Sequence, residues 1–254
     1  MIDIHSHILP KIDDGARTTE EAFIMLEEAY RRGFTDIIAT PHYMPGVYTC
    51  NKLQIEKLIN DLQKELYKKN INLKIYIGTE CYIAENLDTL IKENIISTLN
   101  NSRYILFELP INTKVIFLDY IIDNLKQMEL VPIIAHPERY EYIQQDPNIL
   151  MDLINKGVLC QLNYGSLIGV HGRKAKDVSE ILLKHNMVHF LATDCHAQRD
   201  LYDVIHEILD GLAQVISKED IDNLININPK CVLENKDVYI KAPIFYNKKK
   251  FGLF

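Results

Sequence analysis

Residues 1–16, MIDIHSHILPKIDDGA, put two histidines and three acidic residues into what otherwise reads as a buried strand. Ile2, Ile4 and Ile8 recur with the period of two that a strand imposes. His5 and His7 stand two apart, so their side chains leave the strand on one face. A buried imidazole without a partner costs about 1–3 kcal/mol. The pair therefore needs backbone acceptors, as core histidines have, or a bound ion. Because His-x-His closes a strand and Asp13 and Asp14 follow it, a metal ion is the better reading.

The same arrangement recurs outward from this stretch. Strand-like runs at 2–8, 36–42, 74–80, 104–109, 131–136, 158–163 and 189–194 alternate with helix-like segments at 19–32, 51–69, 115–128, 148–155 and 175–184. Two further helical segments, 201–213 and 218–225, follow the last strand. Thr18 or Thr19 before Glu20 and Glu21 predicts a helix N-cap, and Gly33 a helix end. Seven strand-then-helix units predict parallel strands joined by crossover helices, in an open sheet or a closed barrel. No GxGxxG or P-loop follows any strand, which removes the usual mark of the nucleotide-binding open sheet.

The polar residues decide for the barrel. Strand ends carry His5 and His7 with Asp14 beyond them, then His42, Glu80, Glu108, His136, and finally Asp194 with His196. The sixth strand brings only Gln161, Asn163, Tyr164 and Ser166. Each residue alone has an ordinary explanation, but nine at one end of six strands define the face where barrel active sites lie. Carboxylates gathered there repel unless cations sit among them. Mixed imidazole and carboxylate ligands without thiolate suit Mn, Fe or Zn, and nine groups are enough for two or three ions. Four carboxylates against three divalent ions leave a net charge of about +2, which attracts a phosphate dianion and acidifies a bridging water to hydroxide. Cys81 and Cys195 each follow a ligand, so strand alternation points them away. His171, His185, His189 and His206 read as surface or packing residues.

Composition narrows the function. A net charge of −7 with no Lys/Arg block before the C-terminus argues against nucleic acid as the main partner. Nothing reads as a signal peptide or membrane span, and five cysteines without a CxxC pair suit a reducing compartment, so the expected location is the cytoplasm, without stable membrane insertion. No cysteine has an arginine six residues downstream, so a Cys-x5-Arg phosphatase loop is absent.

HSHILPKIDDGA, ATPHY, HPERY, QLNYGSL and the final Asp-x-His resemble the bacterial protein-tyrosine phosphatases of the polymerase and histidinol phosphatase (PHP) superfamily found in capsule and exopolysaccharide operons. The likeness covers residues 1 to about 230. It implies a distorted (β/α)7 TIM-like barrel and a Mn²⁺-dependent phosphatase acting on the phosphotyrosine-rich tail of a bacterial tyrosine kinase. Carried over by motif, His5, His7, Glu80 and Asp194 hold one ion, Glu80, Glu108 and His136 a second, and Asp14, His42 and His196 a third. Arg139 and Arg199 are the implied phosphate clamps; Arg199 matches less cleanly, and a salt bridge to Asp200 or Asp203 is its alternative.

Three other functions compete: a histidinol-phosphate phosphatase on the same barrel, a metal-dependent amidohydrolase, and a scaffold without activity. Amidohydrolases typically use a strand-end lysine as a bridge, whereas Lys74 lies at the wrong end of its strand and Glu80 and Glu108 fill the bridging positions. The intact ligand set argues against the scaffold. The expected organisation is one domain over 1–254 with a tail of open role at about 235–254. That aromatic, lysine-rich tail fits packing on the barrel, disorder, or docking on a partner or an anionic membrane.

Overall fold

The computed structural model describes residues 1–197 and 201–247. Its strands are β1 (Ile2–Ser6), β2 (Asp36–Ala39), β3 (His42–Tyr43), β4 (Lys74–Ile77), β5 (Glu80–Tyr82), β6 (Tyr104–Glu108), β7 (Val131–Ala135), β8 (Leu159–Asn163) and β9 (Phe190–Ala192). Every ladder is parallel. β1 pairs with β2 and β2 with β4; β3, β5, β6, β7, β8 and β9 pair in that order. A parallel bridge between Ser6 and Cys195 brings the end of the chain of strands back to β1. His7 N donates to Cys195 O and Asp194 N to His5 O, both at 2.9 Å, so the ring is closed.

The fold is thus a distorted seven-stranded barrel, and the distortion has a local cause. The runs 36–42 and 74–80 read as single strands but are each broken. Pro41 has no N–H for a ladder, so β2 stops at Ala39 and β3 restarts at His42. Opposite this break, Glu80 N donates to Pro41 O at 3.2 Å and β5 restarts at Glu80. The restarted halves pair His42 directly with Glu80.

The barrel interior is layered. Tyr104 and Leu106 on β6, Ile133 and Ala135 on β7, Leu159 on β8, and Phe190 and Ala192 on β9 fill it with Ile2, Ile4 and Ile38. The next inward positions on β6 and β8 are Glu108, Gln161 and Asn163, so the apolar floor gives way to a polar top within one or two residues. β1 needs a further device, because strict alternation would send His5 outward when Ile4 points in. Its register with β2 shifts between Asp3 and Ser6, and this irregularity brings His5 and His7 onto the interior side. Cys81 and Cys195 instead join the larger outer core beneath the helices, as alternation predicted.

Helix boundaries follow their caps. Thr18 Oγ1 accepts from Glu21 N to start Thr19–Arg31, and Gly33 takes φ 90° after its end. The short helices Leu87–Lys92, Glu141–Gln145, Tyr164–Leu167 and Asn228–Leu233 were not anticipated; four to six residues carry too little periodicity. The segment 218–225 divides into Lys218–Asp222 and a π-helical turn, Asn223–Ile227.

His189 is a packing residue with a measurable consequence. Its Nδ1 accepts from Cys160 N at 3.1 Å, and burial lowers its pKa to about 4. The unfolded imidazole titrates near 6.5, so between those values the unfolded chain binds the extra proton and stability falls with pH. Wild type should lose about 2 kcal/mol more than His189→Leu between pH 7.5 and 5 in urea unfolding. Equal losses would rule this out.

Candidate metal centre

All nine strand-end residues meet at the polar top of the barrel. Glu80 is the hub and is fully buried. Its Oε2 lies 3.1 Å from His5 Nε2, 3.3 Å from His7 Nε2 and 3.0 Å from His42 Nδ1, while Oε1 lies 3.0 Å from His136 Nε2. Asp194 Oδ1 faces His5 Nε2 and His7 Nε2, each at 3.3 Å. His42 Nε2 and His196 Nε2 approach Asp14 Oδ1 at 3.5 and 3.4 Å. Glu108 lies 3.4 Å from His42 and 3.9 Å from His136.

Among the described residues three groups of potential ligands result, each with ligand atoms within 4.8 Å of one another: His5, His7, Glu80 and Asp194; His7, Asp14, His42 and His196; and His42, Glu80 and Glu108. The first matches the set expected for one ion. In the third, His42 stands where His136 was expected, and His136 joins through its contacts with Glu80 and Glu108. His7, His42 and Glu80 therefore each belong to two groups.

Tautomers test whether these residues fit a cation. Gln161 Nε2 donates to Asn163 Oδ1 at 2.8 Å, which turns Gln161 Oε1 toward His5 Nδ1, also at 2.8 Å. In the neutral imidazole that nitrogen carries the hydrogen, which leaves the Nε2 lone pair for a cation that displaces the second proton. Asp13 Oδ2, 2.7 Å from His7 Nδ1, imposes the same tautomer on His7. In these neutral tautomers the two Nε2 lone pairs face each other at 3.2 Å beside Glu80 Oε2 and Asp194 Oδ1, buried oxygens with no hydrogen-bond partner among the described residues. Four lone-pair donors around one point suit a divalent ion.

The electrostatics agree. Burial opposes charge on His5, yet Glu80 and Asp194 lift its pKa to about 9, so protons take up the missing positive charge. Burial together with the Glu80 charge pushes Glu108 up to about 7. This group of carboxylates cannot ionise fully without additional cations.

The backbone is shaped for the site. His136 (φ 34°) and Asp194 (φ 51°) adopt left-handed conformations unusual outside glycine. The bend at His136 starts the turn Pro137–Arg139, which carries Arg139 back over the centre. Arg139 Nη1 donates to Asp194 Oδ2 at 3.2 Å, and Asn163 Nδ2 donates to the same oxygen at 2.7 Å, leaving Oδ1 for the centre. Arg139 is about one-third exposed, at 31%. Arg199 lies outside the described residues, and Asp203, one of its alternative partners, bonds Arg32 Nη2 at 2.6 Å.

The supporting residues were the part sequence reading missed. Asp13 orients His7 and also accepts from His42 N at 3.0 Å. Glu138 is fully buried and accepts from Asn163 N and Ser166 Oγ, tying the His136–Arg139 turn to the β8 loop. Asp3 accepts from Thr193 N and Oγ1, locking β1 to β9 beneath the ligands. Tyr48 stacks on His42 with ring centres 5.7 Å apart. Burial pushes the Cys81 and Cys160 thiols well up, so neither supplies a thiolate nucleophile.

Gly15 is required by close approach. A Cβ there would lie 2.0 Å from the His7 carbonyl oxygen. Gly15→Ala should therefore displace His7 or the Asp13–Asp14 loop, with at least about a tenfold loss in metal affinity, as for disrupted ligand orientation. Unchanged affinity by calorimetry would show that the loop yields freely.

Residues 1–234 match a family model described as capsular polysaccharide synthesis, CpsB/CapC. The putative tyrosine-protein phosphatase CapC of Staphylococcus aureus is 32% identical over 255 residues, covering 100% of both chains. A structure reported for YwqE of Bacillus subtilis and CpsB of Streptococcus pneumoniae, described as unique metal-dependent tyrosine phosphatases, superposes with a TM-score of 0.91. It is 32% identical and covers 98% of this chain and 100% of that one. A histidinol phosphate phosphatase from Lactococcus lactis, complexed with zinc, histidinol and phosphate, superposes at 0.55 with 19% identity, covering 84% and 92%, and shares the fold.

Proposed function

Because the chain belongs to the CpsB/CapC family of capsular polysaccharide synthesis proteins, we propose that it is a metal-dependent protein-tyrosine phosphatase, a phosphoric monoester hydrolase. The observation that carries this reading is the ring of His5, His7, Glu80 and Asp194 with the Arg139 guanidinium 3.2 Å from Asp194. A cation-binding centre and a fork suited to phosphate oxygens stand side by side. His5, His7, Asp14, His42, Glu80, Glu108, His136, Asp194 and His196 hold two or three ions, of which Mn²⁺ suits the ligand chemistry, with Fe or Zn as substitutes. Divalent ions bound there supply positive charge for the phosphoryl oxygens and acidify the attacking water.

The chain's own residues do the rest. Asp13 and Gln161 keep the Nδ1 hydrogens of His7 and His5 in place, so both Nε2 atoms stay available. Arg139 orients the phosphate, Glu138 anchors the turn that carries it, and Arg199 is assigned a second, weaker clamp. Residues 1 to about 234 act as one phosphatase domain, with the tail outside the catalytic machinery. Phosphotyrosine in the tail of a bacterial tyrosine kinase is the proposed substrate, in the cytoplasm. No helix among the described residues is long and apolar enough to cross a membrane.

The test is selective turnover. Chelator-stripped protein should be inactive, and Mn²⁺ should restore hydrolysis of a phosphotyrosine peptide at least as well as Mg²⁺. The peptide should be preferred over histidinol phosphate by at least about tenfold in kcat/KM. Activity that survives chelation and metal analysis at zero, or the opposite substrate preference, would overturn the reading.

A further inference from the structure

The barrel end opposite the metal centre holds a cavity of about 260 Å³. It lies where β9 begins: His189, just before Phe190, lines it, whereas Asp194 stands beyond the other end of the same strand. Leu183, Val188, Ile216 and Leu224 give it apolar walls. One side is formed by the π-helical turn Asn223–Ile227 and the start of the helix Asn228–Leu233, and Tyr239 and Lys241 of the tail complete the lining. A π-helical turn is a rare departure from α-helical bonding and is found disproportionately at functional sites.

Two side chains of this lining are buried and each lacks one hydrogen bond. His189 is 2% exposed and Asn228 3%. His189 Nδ1 accepts from Cys160 N at 3.1 Å, so the neutral ring carries its hydrogen on Nε2. Burial keeps the ring neutral by lowering its pKa to about 4. Asn228 Nδ2 donates to the His189 carbonyl oxygen at 2.9 Å, which orients the amide and leaves Oδ1 as an open acceptor. Neither His189 Nε2 nor Asn228 Oδ1 has a hydrogen-bond partner among the described residues. A buried donor and a buried acceptor left unmet are costly, and a ligand that meets both removes the penalty.

This pair defines the ligand. Asn228 is bonded to the backbone of His189 itself, so donor and acceptor belong to neighbouring groups and one edge of a ligand serves both. A C=O beside an N–H has the matching polarity. A charged ligand would find the charges of the lining already matched, since Lys241 is engaged by Asp220 and Lys184 by Glu180 Oε2 at 3.3 Å. A hydrocarbon would suit the walls but leave the polar pair unmet. The volume is just below the roughly 300–1,000 Å³ of drug-sized sites and suits a single ring.

We propose that this cavity binds a small uncharged cyclic amide, whose C=O accepts from His189 Nε2 and whose N–H donates to Asn228 Oδ1. The site shares no residue with the metal centre, and its ligand is independent of the phosphatase reaction.

Titration of the full-length, metal-loaded chain with 2-pyridone, followed by ligand-observed NMR, tests this. The probe carries one N–H beside one C=O on a single ring and should bind with a Kd of about 1 mM or tighter. N-methyl-2-pyridone lacks the N–H and should bind at least about tenfold more weakly. H189L removes the donor and should weaken 2-pyridone by about tenfold or more. V215W fills the cavity from its lining and should abolish binding. Circular dichroism and urea unfolding report whether both variants fold; if one does not, the other and the methylated probe decide. No binding of 2-pyridone at about 10 mM, equal affinity for the methylated probe, or unchanged affinity in a folded variant would overturn the proposal.

Discussion

Glu80→Ala is expected to lose ions from the centre and reduce phosphotyrosine hydrolysis by roughly 10³-fold or more, the equivalent of about 4 kcal/mol. The size follows from position. Glu80 contacts His5, His7, His42 and His136 within 3.3 Å, so its removal disconnects ligands contributed by three other strands. It also leaves four imidazoles close together without the central negative charge that makes a cation welcome. Burial disfavours charge on Glu80, but His5 and its other imidazole neighbours hold its pKa well below the usual carboxylate range, so it is ionised at neutral pH and available as a ligand. Glu80→Gln sharpens the test. It keeps the volume but aims one amide hydrogen pair at bare nitrogens, so metal content should still fall while far-ultraviolet circular dichroism stays native. Full metal content with near-wild-type kcat in both variants would mean that Glu80 neutralises the histidines without bridging ions.

This hub was readable in the sequence because strand ends are where periodicity stops and chemistry begins. Glu80, Glu108 and His136 each close an apolar run, and their convergence follows once the runs are parallel and the ring is closed. What stayed hidden was long-range or irregular. Glu138 lies inside the quoted HPERY motif, but its partners Asn163 and Ser166 are about 25 residues away, and local spacing holds no trace of that contact. Asp13 stood in view beside Asp14, yet which of two adjacent carboxylates turns to His7 Nδ1 depends on the close Gly15 turn. The shift in β1 is likewise a property of its pairing with β2, and alternation alone puts His5 and Ile4 on opposite faces. Pro41 was the one legible sign that the second strand is broken.

Arg139→Ala should show the opposite pattern to Glu80→Ala: full metal content and a loss of about 2–4 kcal/mol in transition-state stabilisation on a phosphotyrosine peptide. Among the described residues, the hydrogen bond that ties Arg139 to the centre goes to Asp194 Oδ2, an oxygen that Asn163 also satisfies, so Asp194 Oδ1 keeps its place toward His5 and His7 without it. A guanidinium that is one-third exposed and, among the described residues, ion-paired to Asp194 at 3.2 Å is free to exchange that carboxylate oxygen for the oxygens of an arriving phosphate. Arg139→Lys separates charge from geometry. An ammonium keeps the charge but lacks the planar fork, so it should recover part of the loss and no more. Metal loss in Arg139→Ala equal to that of Glu80→Ala would make the residue a structural brace for Asp194. Wild-type kinetics in Arg139→Ala would remove it from the phosphate site and leave that role to Arg199, whose own alanine variant should then carry the larger effect.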